Sequence, residues 1–197
     1  MTKTLYLMRH GQTLFNKRHR IQGWCDAPLT DLGVYQAQVA RQYFKNAGIT
    51  FDAAYSSTSE RACDTLEIVT NGSLPYQRVK GLKEWNFGTF EGESEDLNPP
   101  LPYEDFFVTY GGESQDQVRD RMAATILQLM QETKGKSVLM VSHGGAMANF
   151  ARAWEDNWRL DNLGHMTNCG ILKFSFEADQ FYLEEAIGHD FSGWEEK

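Results

Sequence analysis

The sequence predicts an α/β protein: a three-layer α/β/α sandwich with a mostly parallel central sheet and a short insertion over the C-terminal strand ends. Three observations carry that expectation. Mostly apolar runs at 4–8, 51–55 and 137–142, with a weaker one at 76–80, alternate with longer stretches whose apolar residues recur at helical spacing. The first and last runs break abruptly into polar residues and glycine, Arg9-His10-Gly11 and His143-Gly144-Gly145, where an open parallel sheet places its ligand crevice. A length of 197 residues suits one domain with a sizeable core, expected to span 1–197.

Taken in order, the uncharged stretch Thr4 to Met8 is the first buried strand. A turn-rich loop from Ile21 to Leu29 follows, and Thr30 or Asp31 caps a helix to about Ala47, with Leu32, Tyr35, Val39 and Tyr43 as its apolar stripe and Gly48 as its end. Trp24 and Tyr35 are expected in the core. Phe51 to Tyr55 is the second strand, and Ser57-Thr58-Ser59-Glu60 has the form of a capping box for a helix from about Thr58 to Val69. Arg61 thereby falls in the first helical turn, where a cation is unfavourable unless an anion sits beside it or a carboxylate such as Glu60 or Asp64 pairs with it.

Tyr76 to Lys80 is the third strand, and Glu84 follows it, flanked by Trp85 and Phe87, whose apolar surroundings suit a carboxyl group to donate a proton near neutral pH. The segment 93–113 changes character. It holds three of the five prolines, four aromatic residues and six carboxylates, without a Lys, Arg or His. It reads as a cap, favouring neutral, aromatic or cationic leaving groups if it covers the site, unless Lys17, Arg18 or Arg20 lines the same mouth and reverses that preference. Ser114 to Gln117 caps the longest helix, to about Lys134, with Val118, Met122, Ile126, Leu129 and Met130 facing the core. Ser137 to Ser142 is the next strand, and a helix from about Ala146 to Trp154 follows its glycines. Ile171 to Phe176 and Phe181 to Ile187 form an antiparallel hairpin at the sheet margin.

Composition excludes several classes. A net charge of −8 argues against a nucleic-acid partner, and no apolar run approaches the ~20 residues of a membrane span. No secretory leader follows Met1, and the odd, widely spaced Cys25, Cys63 and Cys169 suit a reducing compartment, so the expected location is cytoplasmic.

A parallel sheet brings its strand ends to one edge, so Arg9, His10, Arg61, Glu84 and His143 can converge. An imidazole nucleophile, cationic and imidazole donors for an anion, and a carboxyl group for proton transfer make a phosphoryl-transfer site without a metal or other cofactor. The chain resembles the histidine phosphatase superfamily, also called phosphoglycerate mutase-like. The resemblance is carried by Leu7-Met8-Arg9-His10-Gly11-Gln12-Thr13 with Asn16, Arg20-Ile21-Gln22-Gly23-Trp24, Ser56-Ser57 with Arg61-Ala62, Glu84, Gly88 to Gly92, Gly111 to Ser114, and Val141 to Gly145.

That resemblance implies a metal-independent phosphomonoester hydrolase. His10 would carry the phosphoryl group, Arg9, Arg61 and His143 would hold it, and Glu84 would act as general acid and base. Asn16, Gln22, Gly23 and Gly144 would contribute to substrate binding. Gln12 departs from the glutamate usual in the family. The implied partner is a small phosphomonoester, with phosphate or vanadate as inhibitors. A phosphoglycerate mutase is the nearest rival, disfavoured by the short insertion. A noncatalytic phospho-ligand module is a further rival, and it has no need of both His10 and Glu84.

Overall fold

The computed structural model describes residues 2–164 and 166–195. Six strands, β1 Lys3–Arg9, β2 Ala53–Ser57, β3 Tyr76–Val79, β4 Ser137–Ser142, β5 Ile171–Glu177 and β6 Gln180–Ile187, form one sheet in the order β3-β2-β4-β1-β5-β6. β1, β2, β3 and β4 run parallel to one another, while β5 pairs antiparallel with β1 and β6 antiparallel with β5. The mostly parallel sheet is therefore as expected, with the hairpin at one margin.

Alternation along the strands builds two cores. Leu5 and Leu7 of β1 point into the cluster under α4 (Gln115–Glu132) and α5 (Gly144–Arg152). Tyr6 and Met8 point the other way, against α2 (Asp31–Asn46) and α3 (Glu60–Thr70). The sheet is thus sandwiched, and the C-terminal ends of its parallel strands open on one edge.

Local differences from expectation have identifiable causes. A short helix α1, Leu14–Lys17, follows the first motif, closed by a reciprocal cap between Thr13 and Asn16. In α2 the buried positions are Gly33, Gln36, Ala37, Ala40 and Phe44, one turn-face away from the expected stripe. The reason is close approach: a Cβ on Gly33 would lie 2.1 Å from the Gln12 carbonyl oxygen, so the helix meets the sheet through its smallest residues. Tyr35 is pushed to the flank, where its ring packs against Trp194.

The expected capping box at Ser57 does not form. Ser59 is the N-cap of α3 without a side-chain cap bond, and Oδ2 of the distant Asp26 accepts the Glu60 N–H instead. A capping box does form at Ser114 and Gln117, at the start of α4, as it does at Thr13 and Asn16. α5 starts at Gly144, so the two glycines belong to its first turn and do not precede it.

Candidate active site

β1 delivers Arg9 and His10 to the open edge of the sheet. His10 is 4% exposed, and its Nδ1 lies 2.7 Å from the Gly11 carbonyl oxygen. A carbonyl only accepts, so Nδ1 carries the proton and Nε2 keeps its lone pair. Burial, then the charges of Arg61 and Arg9, hold the pKa of this ring well below the ordinary 6.5.

Arg61 is fully buried, and it is paired with neither Glu60 nor Asp64. Its Nη1 donates to the Cys25 carbonyl and to Asp26 Oδ1 at 2.9 and 2.8 Å, and its Nη2 donates to the Gly23 carbonyl at 2.8 Å. His143, also fully buried, follows β4, with its ring centroid 5.2 Å from that of His10. Burial and the neighbouring Arg61 depress its pKa as well. Three nitrogens here are buried without a partner: Arg9 Nε, Arg61 Nε and His143 Nδ1. Unpaired buried polar atoms are costly, and these three belong to the side chains whose charge or ring bears on His10.

Glu84 is 7% exposed, as its aromatic neighbours suggested, but backbone donors surround its oxygens. Oε1 accepts the N–H groups of Trp85 and Ala146 at 2.9 and 2.6 Å, and Oε2 accepts that of Gly145 at 2.9 Å. The carboxylate is therefore held by the first turn of α5. A Cβ on Gly145 would stand 2.9 Å from Glu84 Oε1, so glycine is what lets it seat.

A cleft of about 610 Å³ opens above these groups, lined by Arg9, His10, Asn16, Gln22, Glu84 and Gly144 among the expected residues. Asn16 is oriented by the N–H of Thr13 and the Nδ2 of Asn168, both donating to its Oδ1. Gln22 accepts from the Thr13 hydroxyl, which leaves its Nε2 buried and unpartnered. Arg61, His143 and Gly23 are not on the cleft wall. The first two are fully buried, and Gly23 braces Arg61 through its carbonyl. Gln12 faces away, its Oε1 accepting from the Thr30 hydroxyl at 2.8 Å.

The segment 93–113 lines this cleft through Glu95, Asn98, Leu101, Pro102 and Tyr103. Of its four aromatic side chains only Tyr103 lines the space. Phe107 is fully buried, and the Phe106 and Tyr110 rings pack on Phe90. Arg20 and Arg152 line the cleft as well.

Several supporting residues escape a reading of the sequence. Glu91 accepts the N–H groups of Gly23, Trp24 and Cys25, ordering the loop that holds Arg61. Asn168 donates to the His10 carbonyl, and the Met166 carbonyl accepts from Arg9 Nη1. Arg121, on α4, donates to the carbonyls of Gly81, Lys83 and Glu84 and forks onto both carboxylate oxygens of Glu113. Glu91 sits in a glycine-flanked motif that signals a special conformation. The others lie in segments without any such signal.

Among the described residues no group of three or more His, Cys, Asp or Glu side chains is arranged to hold a metal ion, and no helix is long and apolar enough to cross a membrane.

Known proteins resemble this chain along its length. It is 28% identical to a metal-independent phosphoserine phosphatase of Arabidopsis thaliana, covering 89% of this chain and 88% of that protein. A probable phosphoglycerate mutase, GpmB, of Yersinia pestis is 34% identical over 73% of this chain and 70% of its own. The crystal structure of a phosphoglycerate mutase from Bacillus anthracis superposes with a TM-score of 0.81 at 28% identity, covering 93% of this chain and 92% of that one. Residues 5–187 match the histidine phosphatase superfamily, branch 1, and with the sheet, the paired histidines and the buried arginine now in place, the chain belongs to that superfamily.

Proposed function

We propose that this chain is a phosphomonoester hydrolase working through a phosphohistidine at His10, a single catalytic unit in which 93–113 is the cap. The observation that carries the reading is the set of three buried, unpartnered nitrogens on Arg9, Arg61 and His143, the side chains that neighbour His10, together with the free Nε2 of His10. In the first step the Nε2 lone pair attacks phosphorus, the bond to the leaving oxygen breaks, and that oxygen takes a proton from Glu84. In the second, Glu84 takes a proton from water as its oxygen attacks phosphorus and the N–P bond breaks, which restores His10. The phosphoryl oxygens gather charge in both transition states, and each fixed donor aimed at them is worth ~3 kcal/mol.

For the leaving group, Arg20 and Arg152 outnumber Glu95 in the mouth of the cleft, which favours a negatively charged substituent such as a carboxylate over the neutral or cationic groups that the composition of the cap suggests. A phosphorylated hydroxy acid or hydroxyamino acid fits this description, and the Arabidopsis relative is a phosphoserine phosphatase. The same two arginines favour a second reading, a mutase that grips a substrate carboxylate. The experiment that separates the readings forms the phosphoenzyme with labelled 3-phosphoglycerate in EDTA and follows the label. Release as inorganic phosphate is expected. Quantitative return as 2-phosphoglycerate would establish the mutase, and label on any residue other than His10 overturns the mechanism.

A further inference from the structure

Ser57 ends β2, is fully buried, and places its hydroxyl oxygen 2.8 Å from Nε2 of His143. The hydroxyl proton has two acceptors within reach: that nitrogen, and the Ser59 hydroxyl at 3.4 Å. An O–H donor favours about 2.7–2.8 Å, so the proton goes to His143. The Ser57 oxygen meanwhile accepts the Ser59 N–H at 3.2 Å, which fixes its orientation. With Nε2 occupied as an acceptor, the proton of the uncharged ring resides on Nδ1, the atom that has no partner. The opposite tautomer would leave the hydroxyl a poor bond and turn a lone pair toward the anion the site is built to hold.

We propose that Ser57 is a positioning residue that, by donating to Nε2, holds His143 in its Nδ1–H tautomer and so aims a hydrogen-bond donor at the phosphoryl group. The two histidines then carry their protons on the same nitrogen and present opposite ends. Gly11 covers Nδ1 of His10 and leaves a nucleophile, whereas Ser57 covers Nε2 of His143 and leaves a donor. The inference rests on the reading of the site as a phosphoryl clamp, but the tautomer is measurable without turnover.

The test is long-range proton–nitrogen correlation NMR on protein labelled with 15N-histidine, with His143 assigned by the loss of its signals in His143→Gln. A pyrrole-type Nδ1 and a pyridine-type Nε2 are expected for His143 in the wild type. In Ser57→Ala the ring should shift toward the other tautomer, and kcat for p-nitrophenyl phosphate should fall by about 100-fold with a smaller change in KM. Ser57→Thr, which keeps the hydroxyl, should restore both. An Nε2–H tautomer in the wild type overturns the inference even if no variant folds, and so does an unchanged tautomer in a folded Ser57→Ala. Full activity of His10→Ala would instead overturn the hydrolase mechanism and leave the tautomer result standing.

Discussion

The floor and the roof of the cleft are built on opposite principles. On the floor, His10, Ser57, Arg61 and His143 are at most 4% exposed, and backbone carbonyls or neighbouring hydroxyls hold them at the ends of packed strands or in the first turn of a helix. In the roof segment 93–113, Leu97, Leu101, Val108 and Tyr110 are 53%, 74%, 46% and 40% exposed, and short turns replace regular helices. A side chain on the floor cannot move without unpairing a buried group, which costs ~1–3 kcal/mol, whereas roof side chains other than the buried Phe107 can change at little cost. The proposed chemistry thus falls where the structure resists change, and the proposed selectivity where it does not.

That contrast can be broken from either side, and floor variants should show the larger effects. His10→Ala should lose turnover entirely while keeping the fold, read by steady-state release of phosphate and by circular dichroism. Retained turnover would remove the nucleophile from the floor. Glu84→Gln should cut the phosphorylation rate by about 100- to 10,000-fold for alkoxide leaving groups and far less for p-nitrophenolate, which leaves without a proton. Equal single-turnover losses for the two would count against Glu84 as the acid.

Arg121→Met, which removes a donor from three carbonyls and the charge partner of the Glu113 carboxylate, should lower stability by about 3 kcal/mol in urea titration. A change under 1 kcal/mol would show that floor and roof are not joined through it. The buried histidines predict a pH response. Both stay uncharged in the folded protein while those of an unfolded chain take up protons below about 6.5, so the unfolded state binds more protons and stability falls as pH drops through that value. His10→Gln and His143→Gln should each flatten that slope by up to about 1.4 kcal/mol per pH unit. Arg152→Gln, at an exposed charge that ends α5 on the cleft rim, should change the kcat/KM ratio of phosphoserine to p-nitrophenyl phosphate by only about fivefold. A hundredfold change would move Arg152 from the rim to the machinery.

The sequence made the floor legible because its residues sit at abrupt transitions: Arg9 and His10 after an uncharged strand, His143 between a strand and two glycines, Arg61 at a helix start that disfavours cations. Each is a local conflict, and local conflicts mark function. The succession of parallel strands and the marginal hairpin followed from periodicity, whereas the strand order β3-β2-β4-β1-β5-β6 did not. Asn168, Arg121 and Arg152 remained hidden because their roles depend on tertiary proximity alone. The α2 stripe was misread for a related reason: apolar spacing identifies a helix but does not reveal that Gly33 lets the adjacent, smaller face approach most closely. Ser57 looked like a cap because its spacing to Glu60 suits one, yet β2 carries its hydroxyl toward His143 and Asp26 caps the helix instead.

Both feet of the roof are stapled to the body. The Glu93 carbonyl accepts the Ile21 N–H at 2.8 Å, and Glu113 bonds Asn86 through its own N–H and, through its carboxylate, both the Asn86 N–H and Arg121. Between the staples Phe107 alone is fully buried and acts as a third pin. Closing a longer loop between fixed ends costs only ~0.6 kcal/mol per doubling of length, so the span from 94 to 102 can be lengthened with little loss of stability while the strand ends beneath it keep their packing.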